Sequence, residues 1–64
     1  MCDYKKLYDL LDAHDIDIHD LFRCLEIDYS VITKIENKEI IATKYLKTIM
    51  QFFSVKLHEI IEFV

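Results

Sequence analysis

Apolar residues return at helical spacing along almost the whole chain. Tyr4, Leu7, Tyr8, Leu10 and Leu11 recur at steps of three and four, which puts them on one face and predicts a helix from about Asp3 to His14. A second helix is expected near Asp17, whose carboxylate can cap free amides, with Asp20 three residues on in a capping-box-like place. Its inward residues are Ile18, Leu21, Phe22 and Leu25. The third starts after Asp28, another good cap, buries Ile32 and Ile35, and ends near Asn37, a residue that tolerates the left-handed conformation. The fourth opens at Ala42 or Thr43 and turns Leu46, Ile49, Met50 and Phe53 inward. The fifth spans about Leu57 to Phe63 and presents Leu57, Ile60 and Ile61. No stretch sustains strand alternation, and the pair Ile40-Ile41, lying between two helical patterns, reads as a buried loop.

Composition agrees with that pattern. The chain of 64 residues is 53% hydrophobic and has neither Gly nor Pro. Tight hairpins lean on residues that accept positive φ, glycine above all, so helices joined by short turns are the expectation. The length predicts one domain, residues 1–64, with one core; a chain this short buries only about 60% of its unfolded surface, so its margin is thin. The fold class is all-α, with five helices.

Catalytic and metal chemistry find little support. Cys2 and Cys24 are the only cysteines, too few for a disulfide scaffold and without metal-site spacing. Cys24 is expected to pack as a small apolar residue and Cys2 to lie on a frayed terminus. His14, His19 and His58 share no helix face at ligand spacing, no nucleophile-base-orienter set occurs, and a glycine-rich phosphate loop is impossible. Neither an enzyme nor a cofactor is expected. The opening MCDYKKLYDLL carries acids and no long apolar run, so neither a signal peptide nor a membrane span is expected, and the location is read as cytoplasmic.

The net charge of −4 weighs against nucleic acid as a partner, but the distribution is uneven. Residues 1–32 hold eight acids against three bases; residues 33–64 hold five bases against four acids. Lys34, Lys38, Lys44 and Lys47 fall in that second half.

The middle of the chain has a more specific spacing. Two short helices joined by a three- or four-residue turn need apolar residues at fixed offsets, and Leu21, Leu25, Ile27, Ile32 and Ile35 supply them, with Ile27 pinning the turn. The segment IHDLFRCLEIDYSVITKIEN, residues 18–37, resembles the twenty-residue helix-turn-helix of the lambda repressor/Cro-type family, also called the xenobiotic-response-element family. YKKLYDLLDAHDIDIHDL upstream and YLKTIMQFFSVKLHEIIEF downstream resemble that family's first helix and its fourth and fifth. The likeness covers nearly the whole chain.

The resemblance implies a domain that docks helix three in the major groove of double-stranded DNA. Carried over by motif position, Tyr29, Ser30, Thr33, Lys34 and Asn37 face the groove, while Lys38, Lys44 and Lys47 grip phosphate. The family's last helix commonly makes the dimer contact, which points to Ile61, Phe63 and Val64 and to a homodimer on a near-palindromic operator. Four positions depart from the family pattern. Phe22 replaces a small residue. Glu26 and Lys38 replace glycines, so each either accepts positive φ or shifts its turn. Ile18 stands where a phosphate-touching Gln is frequent. The acids Asp15, Asp17 and Asp20 fall near a place where phosphate would approach. A rival reading follows from them: a helix-turn-helix turned to protein binding, as an antirepressor, an anti-CRISPR-like inhibitor or a regulator's partner. The first reading is a small sequence-specific transcriptional regulator.

Overall fold

The computed structural model describes residues 2–64. In chain order it contains β1 (Cys2–Asp3), α1 (Lys5–Ala13), α2 (Ile18–Cys24), α3 (Ser30–Glu36), α4 (Thr43–Phe53), a 3-10 turn (Leu57–Glu59) and β2 (Glu62–Phe63). The described residues thus hold four α-helices, and the expected fifth helix is a correction: only its first turn is helical. The reason lies in Ile60 and Ile61. A short terminal helix cannot turn two consecutive residues inward, yet both are buried here, because the chain leaves the 3-10 turn and runs extended into β2. Lys56 begins the turn with its backbone N–H donating to Glu59 Oε2 at 2.7 Å.

The two ends pair. β1 and β2 are antiparallel, with Cys2 opposite Phe63 and Asp3 opposite Glu62. This overturns the reading of Cys2 as a frayed residue: it is buried, its N–H donates to the Lys38 carbonyl at 3.3 Å, and its thiol donates to the same oxygen at 3.4 Å. Cys24, expected in the core, is exposed instead. Ile18, Leu21, Phe22 and Leu25 already occupy the inward stripe of α2, and Cys24 falls beside it.

The core is a single cluster drawn from every helix and from both ends of the chain. It holds Leu7 and Leu11 of α1, Ile18, Leu21 and Phe22 of α2, Val31, Ile32 and Ile35 of α3, and Leu46 and Ile49 of α4, closed by Ile27, Ile41, Ile60 and Ile61. Phe22 is fully buried, so the larger residue is absorbed by the packing. Tyr8, expected inward, is half exposed at the margin of the α1 stripe. Of the loop pair, Ile41 is buried and Ile40 is 54% exposed.

All four helices stop in the same way. Each is followed by a non-glycine residue in the left-handed region: Asp15, Glu26, Lys38 and Ser54, with φ of 55°, 58°, 61° and 56°. The next residue donates back five positions, as in Ile16 to Leu11, Ile27 to Phe22, Glu39 to Lys34 and Val55 to Met50. This is the Schellman closure, which satisfies carbonyls the helix end leaves free and turns a following apolar residue onto the core. Ile27 is that residue for α2, which is how the motif's turn is pinned. Glu26 and Lys38 therefore accept positive φ, and neither turn shifts.

Candidate nucleic-acid interface

The stop of α2 and the start of α3 set the angle between them. Asp17 caps α2 by accepting the His19 N–H at 3.1 Å. Asp28 does the same for α3, accepting the Ser30 N–H at 2.8 Å. That backbone bond, followed by the Ser30 hydroxyl, holds the Asp28 carboxyl below the usual carboxylate range. Asp20 forms no capping box; it pairs with Arg23 one turn on.

Val31, Ile32 and Ile35 attach α3 to the core, leaving its other side to solvent. Ser30, Thr33 and Lys34 lie on that exposed side, flanked by Tyr29 before the helix and Asn37 after it. The helix face thus offers two hydroxyls, a flexible cation and an amide, a set able to donate to and accept from base edges. Lys38 is also exposed, with its backbone fixed by the Cys2 bonds. Lys44 and Lys47 are exposed on α4; the Lys44 ammonium lies 5.0 Å from the Tyr45 ring centre, and the Thr48 hydroxyl donates to the Lys44 carbonyl.

The chain matches the Cro/C1-type HTH DNA-binding domain over residues 6–64. It belongs to that family. A crystal structure of the transcriptional regulator VanUg superposes with a TM-score of 0.89 at 24% identity, covering 95% of this chain and 81% of that one; at this identity the likeness is one of fold. No match was found among curated proteins. As a Cro/C1-type domain, the protein carries the helix-turn-helix read from residues 18–37, with α2 and α3 as its two helices.

The acids that weigh against DNA each have a structural task. Asp17 caps α2, Asp20 pairs with Arg23, and Asp15 closes α1 with its N–H on the Asp12 carbonyl. Of the three tail residues expected at a dimer contact, Ile61 is only 2% exposed and belongs to the protomer's own core. Phe63 and Val64 are open to solvent, at 65% and 75%. Sequence reasoning missed Ile40, which lines a groove of about 530 Å³ with Cys2, Asn37, Lys38, Glu39 and Phe63. The signal was present in the Ile40-Ile41 doublet, since a loop passing over a core buries one of two neighbours and exposes the other. It also missed His19, whose ring stands edge-on to Tyr29 with centres 5.3 Å apart. Among the described residues no three metal-ligating side chains converge, and no helix is long and apolar enough to cross a membrane.

Proposed function

We propose that the protein is a sequence-specific transcriptional regulator, a single domain acting in the cytoplasm that binds a near-palindromic operator as a symmetric dimer. The observation that carries this reading is the outer face of α3. Its hydrogen-bonding side chains are exposed, and its other face is locked to the core in a fold family defined by DNA binding. In this reading Tyr29, Ser30, Thr33, Lys34 and Asn37 enter the major groove, and Lys38, Lys44 and Lys47 neutralise phosphate. The function needs no cofactor and no chemical step.

A second copy fits the geometry. The molecule measures 28 × 23 × 19 Å, so two side by side span half-sites about one helical turn, roughly 34 Å, apart. Phe63 and Val64, joined by Ile40, form the contact in this reading, with Ile61 beneath them as support.

The test is selection from random duplexes at low salt. A near-palindrome is expected, with log affinity falling against log salt at a slope of about −5 to −7 for six to eight neutralised phosphates. The net charge of −4 favours a second reading, in which the fold binds a basic protein as an antirepressor, inhibitor or regulator's partner. Failure to enrich any duplex, together with capture of one basic partner, would decide for it.

A further inference from the structure

The Ile18 side chain is buried, so the position that often supplies a phosphate contact in this family is occupied by a core residue. Its neighbour His19 is exposed. The His19 ring lies 5.3 Å from Tyr29 at 82°, which sets the imidazole at the seam between α2 and the residue that leads into α3. Its Nδ1 is 3.5 Å from Asp17 Oδ1. We propose that His19 contacts a DNA phosphate through Nε2, and that its protonation makes DNA affinity rise as the pH falls. This rests on the DNA-binding reading above and adds to it one residue and one control variable.

The charges around the ring explain why the effect is pH-dependent. Asp17 faces Nδ1, and the Tyr29 ring faces the imidazole from α3. Asp20 and Arg23, on the same helix, are paired with each other. Asp28, preceding Tyr29, accepts the Ser30 N–H, and Asp15 lies in the turn before α2. This edge is therefore mostly anionic and repels a duplex at high pH. Histidine is the side chain whose charge changes between pH 5 and 8. As imidazolium it has two N–H donors: Asp17 takes the one at Nδ1, and the one at Nε2 bonds a phosphate oxygen. The bound phosphate favours the cation, so each His19 takes up a proton on binding, and affinity gained at low pH is lost as the pH rises.

The experiment measures affinity for the selected duplex at about pH 6 and about pH 8, at constant ionic strength. The unaltered protein should bind about five- to twenty-fold tighter at the lower pH, two charge-assisted bonds being gained per dimer. Its salt slope should steepen by about 1 to 2, from roughly 0.9 per added phosphate contact. His19→Gln should abolish both responses; it keeps the backbone N–H that Asp17 caps, and an unchanged helical melting curve checks its fold. His14→Gln and His58→Gln should retain them, His14 being packed against Phe53 and His58 lying in the 3-10 turn. A pH-independent affinity, or a pH response surviving His19→Gln, overturns the proposal. The DNA-binding reading stands apart from that outcome, because its own mark is the loss of base preference in Lys34→Ala at about pH 8. Binding to no duplex at either pH would end both.

Discussion

The phenol of Tyr4 donates a 2.7 Å hydrogen bond to the carbonyl of Glu39, 35 positions later in the chain. Together with the Cys2 bonds to Lys38, it fastens the N-terminus to the loop that leaves the recognition helix. Tyr4 is buried, and burial, with the neighbouring Cys2, pushes its hydroxyl well above the ordinary tyrosine range, so it stays a donor at any working pH. Tyr4→Phe should therefore cost about 1–2 kcal/mol in urea unfolding, because it leaves a shielded carbonyl without its partner. Unchanged stability would mean that water replaces the phenol at no loss.

Glu26 has φ of 58° where the family usually has Gly. A left-handed non-glycine residue costs roughly 1–2 kcal/mol, while glycine loses about 0.5–1 kcal/mol more chain entropy on folding. The first effect is the larger. Glu26→Gly should raise stability by up to about 1 kcal/mol, and an unfolding midpoint below that of the parent would show that Glu26 is held there by a contact worth more than the strain.

Asp28 and Ser30 provide a pH-dependent cap. The Asp28 carboxyl is held below its usual range, chiefly by the Ser30 N–H. Its contribution is therefore present at neutral pH, above the unfolded carboxylate range, and is lost as the pH falls through the lower folded value. Asp28→Ala should melt below the parent at neutral pH, and the gap should close in acid. A gap that persists once the carboxyl is protonated would show that the charge is not the source of the cap.

How much of this was legible in the sequence depends on what each residue was competing with. The stripe Leu21, Phe22, Leu25, Ile27, Ile32 and Ile35 was readable because a helix-turn-helix admits few apolar spacings, and the structure packs it as read, with Leu25 partly open. The caps Asp17 and Asp28 were readable because they act on amides two residues away. The C-terminal segment was misread because helical spacing at Leu57, Ile60 and Ile61 is also met by a turn followed by an extended strand. What selected the strand was Cys2 pairing with Phe63 from the other end of the chain, a long-range contact with no local signature. The same pairing buried Cys2, and no periodicity near residue 2 announces it. In the site, the exposure of Ser30, Thr33, Lys34 and Asn37 followed from the burial of Ile32 and Ile35. His19 gave no such sign, since its relation to Tyr29 depends on the angle between two helices.

Lys34 and Lys44 separate reading from gripping. Lys34 is exposed on α3, while Lys44 is on α4 beside Tyr45. Lys34→Ala should weaken operator binding by about 1–3 kcal/mol and relax preference at one base position, and Thr33→Ala should do less in the same half-site. Lys44→Ala should weaken all duplexes nearly alike. Equal loss across sequences from Lys34→Ala would remove it from the groove.

Ile61 and Phe63 make opposite predictions though only two residues apart. Ile61 is buried, so Ile61→Ser places a hydroxyl in the core and removes several methylenes; a loss of about 2–4 kcal/mol is expected, enough to unfold so small a domain. Phe63 and Ile40 are open to solvent on the groove that Cys2 floors. The pair Ile40→Ser and Phe63→Ser should leave the helical circular dichroism intact. Three exposed side chains, counting Val64, cover far less than the roughly 800 Å² per partner of a standard interface, so the free dimer should be weak, with Kd near or above about 10 μM. On an operator the two half-sites raise the effective concentration to about millimolar, and the same contact then yields cooperative binding. The double variant should accordingly bind a half-site as well as the parent does but lose at least about tenfold on the full palindrome. Equal loss on half-site and palindrome would place Ile40 and Phe63 on the DNA face instead, and no loss on either would move the dimer contact elsewhere on the molecule.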